Sequence, residues 1–394
     1  MTTPIWLTRL YAALGRVTST REFIPEIDGL RFLAIIPVVL LHCAATLAIQ
    51  RGILERPDQW WRSNGLLIQL LLAGNIGVPI FFVISGFIVT LPFARATLQH
   101  APEPSIRRYF LRRVTRIEPP YLIALTWMYL GANQPLAQNL PHYLAGLVYL
   151  HKVIFGTLNP IGNITWSLEV EVFFYLMAPW LCRPFYRIPH AVLRHTLQLA
   201  AVVGSSFLVH RILIPGGAPY LNHTIVTSIP FFLAGMLLAD LYASGWFLRR
   251  LSLVWDLVGI AACLGLVYAT AWQWYRLYWL TPVMIGAVFA AALEGRALNW
   301  FFRLRPITVI GGMCYTIYLW HTSVLYYVRV LFDPLIPTEW SFGAATGLFC
   351  LLALPPVLLL CAPIFYFIEK PFMSGAGSRF LERFFQPSPT PTAG

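Results

Sequence analysis

The sequence predicts an all-α integral membrane protein of about ten transmembrane helices with both termini in the cytoplasm. Three observations carry that expectation. Of the 394 residues, 58% are hydrophobic and 11% are charged, far from the balance of an ordinary water-soluble domain. Ten apolar runs are long enough to cross about 30 Å of hydrocarbon. The basic residues then fall mainly on one side of those runs, which orients them.

Taken in order, the residues before the first run are mostly polar or amphipathic, with Ile5 to Leu14 reading as an interfacial helix. The first run, near 30–49, has no small-residue cleavage pattern behind it, so it is a retained span and not a cleaved signal. Further runs lie near 66–93, 119–134, 166–182, 196–213, 224–242, 252–272, 277–294, 307–331 and 343–368. The piece from Leu140 to Ile154 holds His142, His151 and Lys152, so it reads as a partial or re-entrant helix. The expected organisation is a cytoplasmic or interfacial segment at 1–23, a membrane core at 24–373 and a cytoplasmic tail at 374–394. The tail's end, Gln386 to Gly394, is Pro/Ser/Thr-rich and expected to be disordered.

With the N-terminus inside, the inner segments hold 20 basic residues, among them Arg9, Arg16, Arg21, Arg95, Arg107, Arg108, Arg112, Arg113, Arg116, Arg249, Arg250, Lys370, Arg379 and Arg383. The outer loops hold five: Arg51, Arg56, Arg62, Lys152 and Arg276. That asymmetry puts both termini in the cytoplasm and accounts for the net charge of +12 by topology and lipid headgroups, without a nucleic-acid partner. The six cysteines sit in or beside apolar runs with no CxxC pair, and no HExxH occurs. Neither disulfides nor a metal site is expected.

Ionisable groups inside spans are costly to keep and so are candidates for function. Eleven residues at about 100° each return His42 to within roughly 20° of the face carrying Arg31, about 16 Å further along the axis. Glu169 and Glu171 lie close inside a span that starts outside at Trp166, and His321 lies in the outer half of another. A histidine with a carboxylate nearby is the minimal arrangement for general base catalysis. The bland alternative is that these groups pair to hold helices together. His100, His142, His151, His190, His195, His210 and His223 fall in loops or at span ends and read as structural. A proton-coupled carrier using the intramembrane His and Glu residues as a relay is the competing functional class, although the matched broken helices of such carriers are not visible.

Six segments together resemble the acyltransferase-3 family of integral membrane acyltransferases. They are IDGLRFLAIIPVVLLHC (Ile27 to Cys43), GVPIFFVISGF (Gly77 to Phe87), RRVTRIEPPY (Arg112 to Tyr121), TWSLEVEVFFYL (Thr165 to Leu176), CYTIYLWH (Cys314 to His321) and FIEKPF (Phe367 to Phe372). The alignment sets Glu171 on the family's carboxylate, while Glu169 stands where a small polar residue is usual and Cys314 where a serine is frequent. Which of Glu169 and Glu171 meets His42 is left open. Some members carry an outer esterase-like domain, and none is expected here.

The resemblance implies an enzyme of a bacterial plasma (inner) membrane that moves an acyl group, commonly acetyl, from acyl-CoA to a hydroxyl of a carbohydrate or other hydroxylated acceptor. Acyl-CoA (acetyl-CoA) is then the donor and no metal is needed. His42 is the expected general base, held by Glu171 or Glu169. Arg31, Arg113 and Arg116, with Ser85 and His321, are expected along the acyl-CoA path, the thioester passing Arg31. Packing is the simpler reading of Ser85 and Gly86.

Overall fold

A chain in hydrocarbon has to satisfy its backbone hydrogen bonds within itself, and here it does so with helices throughout. The computed structural model describes residues 4–17, 23–53, 65–132, 134–247, 251–271 and 275–373, and no strand occurs among them. The main helices are α1 (Ile5–Leu14), α2 (Pro25–Gln50), α3 (Leu66–Leu72), α4 (Gly77–Leu98), α5 (Ile106–Leu130), α6 (Leu136–Leu147), α7 (His151–Phe155), α8 (Trp166–Tyr186) and α9 (Ala191–Phe207). They continue with α10 (Ile225–Ala243), α11 (Leu253–Ala271), α12 (Thr281–Glu294), α13 (Ala297–Phe302), α14 (Arg305–Gly312), α15 (Cys314–Phe332) and α16 (Phe342–Ile364).

Six helical stretches among the described residues are long and apolar enough to cross a membrane: Pro25–Gln50, Leu66–Leu98, Ala191–Leu213, Ile225–Ala243, Leu253–Ala271 and Phe342–Met373. The other four expected runs fall short for visible reasons. The run at 119–134 belongs to α5, whose first half carries Arg107, Arg108, Arg112, Arg113 and Arg116. The run at 166–182 is α8, with Glu169, Glu171 and Arg183. The run at 277–294 shortens to the 14 residues of α12. The run at 307–331 breaks at Met313 into α14 and α15. The expected helix at Ile5–Leu14 forms with those bounds, and the partial element from Leu140 to Ile154 becomes the end of α6 and α7. Arg21, Arg56, Arg62, Arg249, Arg250, Arg379 and Arg383, the Arg276 side chain and the tail Gln386 to Gly394 lie outside the described residues.

The fold is centred on α2. Pro25 fits its first turn, where an N–H is dispensable, and Glu26 and Asp28 set negative charge against the positive end of the helix dipole. Ala34, Ile35, Val39, Cys43 and Ala44 are fully buried. Helix α15 runs beside α2 in the same direction: Cys314 lies within electrostatic reach of Arg31, His321 meets His42, and Asp333 accepts from the Gln50 amide.

Close backbone approaches hold the layers together, as expected where helices meet without a hydrophobic driving force. A Cβ on Gly77 would overlap the Ala34 carbonyl of α2. The crossing of α4 and α10 is a contact of Gly86 on Gly235, where a Cβ on Gly235 would stand 2.8 Å from the Gly86 Cα and overlap the Val83 carbonyl. This agrees with the packing reading of the Ser85–Gly86 segment. Beside it Phe174 stacks on Phe232 with ring centroids 4.0 Å apart. Asp240 of α10 fastens α9 by accepting from Arg194 Nε at 2.6 Å, Arg194 Nη2 at 3.0 Å and Gln198 at 2.6 Å.

Gly235→Val therefore forces α4 from α10, and is expected to destabilise the fold by about 3 kcal/mol or more. Gly286→Ala, where an added Cβ meets nothing within 4 Å, is expected to change stability by less than about 1 kcal/mol. Thermal unfolding of the two detergent-solubilised variants checks the pair.

Candidate active site

His42 and His321 form a hydrogen-bonded pair between α2 and α15, Nδ1 of His42 lying 3.1 Å from Nε2 of His321. The ring centroids are 4.8 Å apart and the planes are inclined at 56°. Neighbouring carbonyls fix where the protons sit. His321 Nδ1 lies 2.9 Å from the Ile317 carbonyl and 2.8 Å from the Tyr318 carbonyl, so it carries the hydrogen and donates. In a neutral ring its Nε2 is then an acceptor. His42 Nδ1 faces that acceptor and, at 2.9 Å, the Val38 carbonyl, so it too is the N–H of its ring. The nitrogen left with a free lone pair is His42 Nε2. Two rings and three carbonyls thus select one tautomer and aim one basic nitrogen, the role an acid residue commonly fills beside a histidine base.

The carboxylates do not take that role. Glu171 accepts hydrogen bonds from the hydroxyls of Ser85 and Tyr175. Ser167, Glu171 and Tyr175 follow one another at intervals of four on one face of α8, and Ser167 donates to the Tyr318 hydroxyl at 3.0 Å. The expectation that Glu171 holds the His42 imidazole is therefore corrected: its partners are hydroxyls and the ring is held by His321. Glu169, two positions away and about 200° round the helix, accepts the Lys152 backbone N–H of α7 at 2.9 Å. It clasps a loop. Beside it a second imidazole pair joins α6 to α7, His142 Nδ1 to His151 Nε2 at 2.9 Å. Burial, with His142 and Lys152 alongside, holds His151 below the usual histidine value.

A polar seam runs from this region toward the other end of α2. Arg113 lies 3.7 Å above the Tyr109 ring and 5.3 Å from that of Tyr175, within electrostatic reach of Glu171. Tyr315 donates to the Ile117 carbonyl at 2.9 Å. At the end of the seam Arg31 and Arg16 share Asp28 Oδ1 at 2.8 Å and 3.0 Å. Glu369 accepts the Thr316 N–H at 3.0 Å and lies within reach of Arg116 and Arg16. Three guanidiniums against two carboxylates leave this cluster cationic. Arg116 makes no hydrogen bond or ion pair among the described residues, so its fork is available to an anion. Arg31 is already committed to Asp28, and Ile35, Val38 and Val39, which separate it from His42 along α2, are packed in the interior.

The structure thus brings together His42 with His321, Ser85 with Glu171 and Arg113, and Arg31 with Arg116 across the Arg16 and Glu369 groups. It leaves Glu169 apart. His321, expected along the acyl-CoA path, lies against His42. Sequence reasoning missed Tyr175 and Tyr318, whose signal was the Ser167, Glu171, Tyr175 spacing, and it gave Asp28 and Glu369 no role. No group of three or more His, Cys, Asp or Glu residues suited to a metal ion occurs among the described residues.

Comparison with known proteins follows the same lines. The acyltransferase-3 family model, described as an acyltransferase domain, matches residues 24–366. The chain is 24% identical to "Peptidoglycan O-acetyltransferase OatA" of Listeria monocytogenes and 25% identical to "Putative peptidoglycan O-acetyltransferase YrhL" of Bacillus subtilis, in each case over 93% of this chain and 58% of the relative. It is 22% identical to "O-acetyltransferase OatA" of Staphylococcus aureus over 82% of this chain and 54% of the relative. The chain thus spans a little over half the length of these curated relatives. No solved structure matches it.

If Glu169 is a loop clasp, Glu169→Ala removes a charge-assisted acceptor and is expected to lower stability by about 2 kcal/mol. Glu169→Gln, which keeps an acceptor oxygen, recovers part of that. Thermal unfolding of the two variants is the measurement.

Proposed function

This chain belongs to the acyltransferase-3 family, and we propose that it is a membrane-embedded O-acyltransferase that moves an acyl group, most simply acetyl, from acyl-CoA to a saccharide hydroxyl. The observation that carries the reading is the tautomer lock on His42, which leaves Nε2 as a lone-pair acceptor while His321 bonds Nδ1. An acceptor hydroxyl titrates far above neutral pH and needs a base as it attacks. His42 Nε2 takes the hydroxyl proton as the oxygen bonds to the thioester carbonyl carbon. The carbon–sulfur bond breaks, the CoA thiolate leaves and is protonated by the imidazolium, and the ester remains. His321 steadies the transient charge by accepting from Nδ1.

The donor's phosphates are anionic, and Arg116 and Arg113 with the Arg16 and Arg31 cluster match that chemistry. Ser85 and Glu171 line the interior between those arginines and the imidazoles. Ten crossings with both termini in the cytoplasm of a bacterial inner membrane put the arginines on the acyl-CoA side; the 20 to five basic asymmetry and the parallel course of α2 and α15 support that topology. The acceptor class follows the relatives, whose printed names are peptidoglycan and other O-acetyltransferases.

Purified His42→Ala is expected to lose about a thousandfold or more in acyl transfer while acetyl-CoA still raises its melting temperature. His321→Gln is expected to lose about ten- to a hundredfold, because the ring is no longer held in one tautomer. Arg116→Ala is expected to raise KM for acetyl-CoA about tenfold with little change in kcat. Near wild-type transfer by His42→Ala removes the base, and substrate-driven proton flux without acylated product favours a carrier instead.

A further inference from the structure

At the end of the bundle away from Arg31, a cavity of about 480 Å³ opens between α5, α6, the segment 160–163 and α15. That volume lies within the range of small-molecule sites. Trp127, Tyr326 and Tyr327 line it, together with Asn139, Asn163 and Thr322. The three aromatic rings are half-exposed, and among the described residues no charged side chain lines the cavity.

The polar lining is unsatisfied by the protein. Asn139 is only 3% exposed, yet its side-chain amide has no partner among the described residues. What little of the residue is exposed lines the cavity, so the amide is free to bond a ligand there. Thr322 and Ser323 also make no side-chain hydrogen bond there, whereas Thr46, Thr90, Thr97 and Thr270 each bond the carbonyl one turn back, the habit of hydroxyls in helices. Thr322 follows His321 directly, so the cavity wall reaches the level of the imidazole pair to within about 1.5 Å along α15.

We propose that this cavity is the acceptor subsite, and that it takes an uncharged stretch of saccharide. The C–H face of a sugar ring packs on Trp127 and the two tyrosines, and its hydroxyls bond the Asn139 amide, Asn163 and Thr322. One hydroxyl is thereby presented beside His321 to His42. A belt of aromatics facing lipid headgroups would account for the rings, but not for an unpartnered amide lining a concave cavity beside them. A lipid chain fits a second cavity, lined by Leu66, Leu67, Trp340 and Leu351, whose walls are almost wholly apolar. The assignment rests on the O-acyltransferase reading.

The test uses the purified full chain in nanodiscs with acetyl-CoA and either chitotriose or maltotriose as soluble probe. Mass spectrometry follows acetylated trisaccharide, and melting temperature follows acetyl-CoA binding. At least one trisaccharide is expected to be acetylated. In Asn139→Ala and Trp127→Ala its KM rises about tenfold, as loss of one hydrogen bond or one stacked ring implies, and Trp127→Phe restores most of it. KM for acetyl-CoA does not share the rise. Rejection of both trisaccharides by a wild-type chain that binds and turns over acetyl-CoA overturns the subsite, as does an unchanged acceptor KM in both variants. A wild-type chain that neither binds nor turns over acetyl-CoA fails earlier, at the enzymatic reading itself. Should Asn139→Ala not fold, Trp127→Ala and Trp127→Phe decide alone.

Discussion

One hydrogen bond, from the His42 imidazole to that of His321, ties the central helix to its parallel neighbour and leaves His42 Nε2 as the open nitrogen. It lies inside an apolar bundle, where an ionisable side chain is costly unless neighbouring groups satisfy it. Here satisfaction is supplied by backbone carbonyls a turn back on each helix. The arrangement needs α2 and α15 in fixed register, because a shift of one residue rotates either ring about 100° away from the other. Register in turn is helped at one end of the pair by Gln50 donating to Asp333 and by Arg51 donating to the Pro337 and Trp340 carbonyls.

The rest of the interior divides its polar groups by depth. Guanidiniums gather where Asp28 and Glu369 can balance most of their charge, hydroxyls and Glu171 fill the middle, and imidazoles stand beyond them. Such a gradient suits a donor with a charged head and a neutral reactive arm. Between the arginines and the imidazoles lie packed residues, Ile35 and Val38 among them, so in the proposed reading the arm reaches the imidazoles only when side chains part. Slow steps of that kind often govern turnover in enzymes that enclose their substrates. An acceptor in the proposed subsite needs no such movement, since that cavity is open to the surface and Thr322 is part of its wall.

Much of this was legible in the sequence. Composition and apolar runs gave helices throughout, and His42 and His321 stood out because single histidines in apolar runs have few bland explanations. What misled was depth used as a measure of contact. Counting from the ends of the apolar runs set Glu171 and His42 at similar depth, yet Ser167 meets Tyr318 and the four-residue spacing of Ser167, Glu171 and Tyr175 carries that carboxylate a further turn away from the imidazoles, to hydroxyls. Glu169, on another face of the helix, meets the Lys152 N–H instead. The runs over α5, α8 and α15 do not stand out as crossings by composition, because the arginines, carboxylates and aromatics these helices hold dilute the apolar signal. Asn139 was invisible, because a lone asparagine in a loop-like stretch shows its lack of a partner only once the fold is built.

The tautomer of His42 is the claim on which the chemistry stands, and nitrogen NMR of the ¹⁵N-histidine-labelled full chain reads it directly, with the His42 signals assigned by their absence in His42→Gln. The account predicts a neutral His42 ring protonated at Nδ1, with Nε2 at the shift of a bare nitrogen. Replacing His321 by glutamine is expected to perturb that signal. A ring protonated at Nε2, or one indifferent to the loss of His321, contradicts it.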